Sequence, residues 1–201
     1  MTRSIAIVLF EGAEELDFAG PWEVFTMLGA IEDESVRAFT VSERGGEVRC
    51  AKGLRVTADY SFDDCPQADI VVIPGGQGTR REVENPTMVD FIKRLNRDAQ
   101  VMTSVCTGSF VLAAAGLLEG KRATTHWASI HHLRKYEGVQ VVDVERYVDE
   151  GHVITASGVS AGIDMALYLV GREWSPTTAR RVQKAMEYFP EPPYTDIPVQ
   201  E

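Results

Sequence analysis

Cys106 lies in Ser104-Val105-Cys106-Thr107-Gly108, between an apolar stretch that reads as a strand and the apolar run Phe110-Val111-Leu112. A thiol in that place is either a small buried residue, as free cysteines often are, or a nucleophile. The context favours the nucleophile. A strand-to-helix elbow presents its side chain at the top of a sheet, and the free N–H groups and positive dipole end of the helix stabilise an anion. Cys106 is therefore expected to be a reactive thiolate. Cys50 and Cys65 have no such setting and read as structural thiols.

Chemistry at such a sulfur needs donors for developing charge and a carrier for protons. Gly75 and Gly76 close the run Asp69-Ile70-Val71-Val72-Ile73-Pro74. Their N–H groups, with that of Thr107, would make an oxyanion or substrate pocket; a plain Pro-Gly-Gly turn is the equal alternative. Asp17 ends Gly12-Ala13-Glu14-Glu15-Leu16-Asp17 and would share a helical face with Glu14. Acids in a first helical turn usually serve the helix dipole. In an apolar pocket beside a thiolate, however, a carboxyl gains a raised pKa and can act as a general acid. His126 closes the short strand expected at 122–125. It reads as a pocket-lining or structural residue more than as a base, because Thr107, not a histidine, follows the cysteine. The four histidines and three cysteines show no metal-ligand spacing, no Cys-x-x-Cys and an odd thiol count, so neither a metal, a disulfide framework nor any other cofactor is expected.

The elements that must hold these residues follow from periodicity. Residues 5–10 and 69–74 are continuous apolar runs suited to strands buried on both faces. Further strands are expected at 36–41, 100–105, 122–125, 139–144, 146–148 and 152–156, and a hairpin excursion at 44–59. Helical spacing marks 16–28 through Leu16, Ala19, Val24, Phe25 and Leu28, a helix opened by Asn85-Pro86, and helices at 108–115, 129–136 and 163–170. A last one begins at Ser175-Pro176, with the serine as cap. The tail Pro190-Glu191-Pro192-Pro193 cannot be regular helix. Strands alternating with helices imply a doubly wound α/β sandwich over residues 1–201 as a single domain, in which ligands bind beyond the carboxyl ends of the strands. Gly12–Asp17, Pro74–Gly76 and Ser104–Thr107 all fall at such ends.

Composition limits the partners. The chain is ordinary for a globular protein, 44% hydrophobic and 25% charged, with a net charge of −10. That charge repels nucleic acid and anionic membranes, and the basic residues form no patch. The acidic stretch 32–35 reads as a solvated turn. No apolar run reaches membrane-spanning length and the N-terminus reads as a strand, not a signal peptide, so a cytoplasmic location and a small-molecule substrate are expected.

Four segments carry a resemblance: GAEELD at 12–17, VVIPGG at 71–76, SVCTGSFVLAAAGLLEGKRATTHW at 104–127 and SGVSAGIDMAL at 157–167. With them the chain resembles the ThiJ/PfpI superfamily of amidotransferase-like proteins along nearly its whole length. Within it the nearest likeness is to the isonitrile hydratase branch and to sensor domains of AraC-type regulators. The resemblance implies a flavodoxin-like three-layer sandwich with a mostly parallel sheet, a nucleophile elbow and a homodimer. It assigns Cys106 as the reactive cysteine, Asp17 as its acidic partner and Thr107 as a hydroxyl that orients acid, water or substrate. Thr107 stands where protease-like members carry histidine, which argues against a peptidase. The implied reaction is cysteine-dependent hydration of isonitriles to N-formamides. The alternatives are glyoxalase- or deglycase-like work on small dicarbonyls, against which Asp17 weighs because those members carry Glu there, and a non-enzymatic ligand or redox sensor. The acidic charge and an end at Glu201 speak against an appended DNA-binding region.

Overall fold

The computed structural model describes residues 2–32 and 36–194; residues 33–35 of the expected acidic turn lie outside them. The first strand, β1 (Arg3–Val8), leads through the Gly12 turn into helix α1 (Glu15–Ile31). Then follow β2 (Val36–Ser42), the hairpin β3 (Gly46–Arg49) and β4 (Arg55–Ala58), and the short β5 (Tyr60–Ser61). Next come β6 (Ile70–Ile73), the single-turn α2 (Thr79–Glu82), α3 (Pro86–Asp98), β7 (Val101–Val105) and α4 (Gly108–Ala114). A small pair, β8 (Arg122–Ala123) and β9 (Gln140–Val141), brackets a 3₁₀ turn at Trp127–Ser129 and the short α5 (Ile130–Leu133). The described chain closes with β10 (Tyr147–Asp149), β11 (Val153–Ala156), α6 (Ala161–Glu173) and α7 (Pro176–Ala185).

Seven strands form one sheet in the order β10-β11-β7-β6-β1-β2-β5. Every neighbouring pair is parallel except β10 with β11. This is the expected α/β sandwich with a mostly parallel sheet. The reason is visible in the strands: β6, β7 and β11 are buried at every position, so each has helices or loops on both faces. Helix starts follow their caps. The Asn85 side chain accepts the Thr87 N–H at 3.0 Å and Ser175 accepts that of Thr178 at 3.0 Å, each ahead of a proline in the first turn.

Three expectations need correction. In α1 the buried stripe includes Asp17, Phe18, Pro21, Val24, Phe25 and Leu28, whereas Leu16 is 40% exposed. The helix is rotated so that an acid, not a leucine, faces inward, which hydrophobic spacing alone cannot reveal. The strand expected at 139–144 shrinks to β9 and pairs with β8 outside the main sheet. The helix expected at 129–136 is broken into the 3₁₀ turn and the single-turn α5. Four strands of the sheet end beside the nucleophile: β1, β6, β7 and also β11, whose following turn Ser157-Gly158-Val159 belongs to a segment of the resemblance that assigns it no role at the site.

Candidate active site

Cys106 occupies the junction of β7 and α4 with a φ of 55°, a left-handed conformation rare outside glycine. The surroundings hold this strained elbow in place. Its N–H donates to the Ser157 carbonyl at 2.8 Å, and its carbonyl accepts the Thr125 hydroxyl at 2.8 Å. The helix that follows makes so close an approach to β6 that a side chain at Gly108 would meet the Ile73 and Pro74 carbonyls. The thiol is buried, at 7% exposure.

Asp17 reaches the same point from the first turn of α1, fully buried. Its Oδ2 accepts the Gly75 N–H at 2.8 Å, while Oδ1 is buried without a partner. Burial is the main cause that pushes its carboxyl up to about 7; Glu14 adds to the rise, while the Gly75 N–H and the nearby Cys106 thiol oppose it. The thiol is pushed up to about 12, first by burial and then by the Asp17 carboxylate, against the pull of the Thr107 and Val159 N–H groups and the Thr107 hydroxyl. The elbow is thus as expected, while burial and the Asp17 carboxylate work against the thiolate that the helix terminus would favour. Desolvation outweighs the helix terminus here, because α4 is short and its first turn lies under the same apolar cover. The two groups act as one unit: a thiolate forms readily only when Asp17 takes up the proton.

The glycines serve a different purpose from the expected one. The Gly75 N–H is donated to Asp17 and the Gly76 N–H to Thr107 Oγ1 at 3.0 Å, so neither points at an oxyanion. They hold the acid and the hydroxyl instead. A Cβ at Gly75 would lie 2.5 Å from Thr107 N and 2.8 Å from both Asp17 Oδ2 and Thr107 Oγ1, so only glycine lets the three groups converge. Thr107 itself is buried, and its hydroxyl also accepts the Thr79 hydroxyl at 3.1 Å. The donors left beside the sulfur are the N–H groups of Thr107 and Val159.

Glu14 is not on a helical face with Asp17. It is the residue before α1, and it forms an ion pair with Lys52 above the acid. His126 makes no hydrogen bond to Cys106. Its Nδ1 accepts the Ala128 N–H at 3.3 Å, capping the 3₁₀ turn, and its ring packs where a side chain at Gly158 would stand. It lines a cleft of about 340 Å³ together with Thr125, Trp127, Arg146 and Val159; this cleft borders the elbow through Thr125 and Ser157, and Cys106 and Asp17 are not in its lining. Burial lowers its pKa, which favours the neutral ring. A larger cavity of about 710 Å³ lies between Ser42, Asn85 and Met88 and contains neither Cys106 nor Asp17. Val159 is the site residue that sequence reasoning missed. Its φ of 36° is strained for a β-branched side chain, so nothing in residue type announces it. Among the described residues no group of His, Cys, Asp or Glu is arranged to hold a metal ion, and no helix is long and apolar enough to cross a membrane.

The model of the DJ-1/PfpI family matches residues 3–172. Isonitrile hydratase from Pseudomonas putida is 39% identical over 194 residues, covering 96% of this chain and 82% of that protein. The HTH-type transcriptional regulator CdhR of Pseudomonas aeruginosa is 28% identical over 92% of this chain, which spans only 54% of the regulator. Among solved structures, a ThiJ/PfpI family protein from Pseudomonas syringae superposes with a TM-score of 0.88 at 30% identity, covering 96% of this chain and 78% of that one.

Proposed function

The chain belongs to the DJ-1/PfpI family, and on that premise we propose that it is a cysteine-dependent hydratase that converts isonitriles to N-formamides. The observation that carries the reading is a buried thiol beside a buried carboxyl whose pKa, raised to about 7, lets it accept and return a proton at neutral pH. Similarity to a protein named isonitrile hydratase, over most of both chains, supports the same reaction.

An isonitrile R–N≡C enters with its terminal carbon toward Cys106. The sulfur forms a bond to that carbon while Asp17 takes the thiol proton and delivers it to the same carbon, giving the thioimidate R–N=CH–S. The carboxylate, again unprotonated, draws a proton from water as its oxygen adds to the carbon, and the nitrogen takes up that proton. The C–S bond then breaks, the hydroxyl proton returns by way of Asp17 to sulfur, and R–NH–CHO leaves. No step requires an oxyanion pocket, which agrees with the commitment of both glycine N–H groups elsewhere. The Thr107 and Val159 N–H groups stabilise the sulfur when it carries charge as nucleophile and leaving group. Thr107, tied to Gly76 and Thr79, acts by fixing the loop that aims Asp17. His126 and Trp127 form the wall against which R packs.

The test compares substrates. Purified protein is incubated with an aromatic isonitrile or with methylglyoxal, and formamide and lactate are followed. Formamide release with a kcat/KM at least tenfold above that for methylglyoxal is expected; lactate without formamide would assign the dicarbonyl reaction instead. Absence of both products would leave a ligand or redox sensor.

A further inference from the structure

A third cavity, of about 420 Å³, is lined by residues of α2, α4 and α5 and the segments that follow α2 and α5. We propose that it binds a monocarboxylate with an aromatic or branched apolar body, at a site separate from the reaction at Cys106.

The walls are apolar. Phe110 stacks near Tyr136 with ring centroids 6.0 Å apart, and Val83 completes the surface. The rim carries two cations, Arg80 and Lys135, with the His132 ring beside them, against one acid, Glu84. On a chain of net charge −10, this local excess of positive charge is unusual. It is also uncompensated. The sequence neighbours Arg81 and Arg134 are ion-paired with Glu82 and Asp143, whereas among the described residues neither Arg80 nor Lys135 has an ion-pair partner. Desolvation first, and then the charges of His131, Lys135 and Arg80, hold the proton affinity of His132 down, which favours a neutral ring beside the two cations.

The geometry fits a fork. Arg80 uses Nη1 to donate to the Gly76 carbonyl at 3.1 Å and to Thr79 Oγ1 at 3.3 Å, leaving Nε and Nη2 for a carboxylate. An amphipathic anion then places its charge on Arg80 and Lys135 and its body on Phe110 and Tyr136. The size and lining are those of small-ligand pockets, apolar with a few convergent polar groups. Glu84 disfavours a dianion such as a phosphate monoester more than a monocarboxylate. None of the groups that would touch the ligand takes part in the hydration, and Arg80 meets the reaction site only through its hydrogen bonds to Gly76 and Thr79.

Calorimetric titration with 2-naphthoate and with the neutral 2-naphthamide tests the proposal. The wild type is expected to bind one naphthoate per chain saturably, with at least tenfold weaker binding of the amide. The double variant Arg80→Gln/Lys135→Gln should lose at least tenfold in affinity, while Arg134→Gln, on a neighbouring paired arginine, and Cys106→Ala should bind as the wild type does. Absent saturable binding, equal affinity for the amide, or full affinity in the double variant would overturn the site. Loss of binding in Cys106→Ala would move the ligand to the catalytic cleft and overturn it equally.

Discussion

Asp17 carries opposite consequences for catalysis and for stability. Its carboxyl has a pKa near 3.8 when exposed and about 7 when folded, so the folded state binds its proton more tightly. Ionisation therefore destabilises the fold: the penalty is absent below about pH 4, grows as pH rises, and is complete above about pH 7. A shift of about three units corresponds to about 4 kcal/mol. Asp17→Asn is expected to melt later than the wild type at pH 8, with the difference vanishing near pH 4; equal melting curves at pH 8 would show that the acid is not desolvated. The same residue sets the thiol. Because the carboxylate raises the Cys106 pKa, Asp17→Asn should shift the pH profile of Cys106 alkylation to lower pH even as turnover falls about 10²–10⁴-fold for want of a proton carrier. In the wild type the competent form holds one proton on the pair, so kcat/KM should rise with pH through about 7. A profile that falls through that pH would reverse the assigned roles.

At the scale of elements, the site is a convergence of four strand ends, and most of that convergence is legible in the sequence. The runs of β1, β6 and β7, the turns after them, and the Cys-Thr-Gly elbow identify the fold and bring Cys106, Asp17 and Thr107 together. What the sequence leaves hidden is set by packing distance. The destinations of the Gly75 and Gly76 N–H groups depend on how closely the loop after β6 approaches α4. The Val159 turn depends on a strained backbone that its side chain disfavours. The upward push on the Cys106 thiol depends on burial that a local view of the helix terminus does not include. The Gly75 contact gives the sharpest test. Gly75→Ala places a carbon among Thr107 N, Thr107 Oγ1 and Asp17 Oδ2, and overpacking of this kind destabilises by about 1–3 kcal/mol. Displacement of the acid should lower kcat about 10²-fold. An alanine variant with unchanged kcat would show that Asp17 needs no such positioning.

Over the whole molecule, the acidic charge and the folded architecture agree with a small-molecule enzyme. The large apolar residues left in solvent among the described residues are Leu16, Leu54, Trp127, Val144, Phe189 and Tyr194. Leu16 is 40% exposed and Leu54 50% exposed, on either side of the contact in which Lys52 N–H donates to Glu15 and Ala51 N–H to the Ala13 carbonyl. Trp127, 63% exposed, stands at the mouth of the 340 Å³ cleft. We propose a homodimer that covers the Leu16 and Leu54 surface. Sedimentation equilibrium should give twice the chain mass of 22.2 kDa, and Leu16→Asp/Leu54→Asp should return the monomer; a monomeric wild type would remove the proposal.

The most direct test of the central claim is the rate of formamide release from an aromatic isonitrile by Cys106→Ala beside the wild type. Turnover by the wild type and a loss of about 10³-fold or more in the variant are expected, since removal of a covalent nucleophile leaves only binding and positioning. Turnover that survives in Cys106→Ala would contradict it.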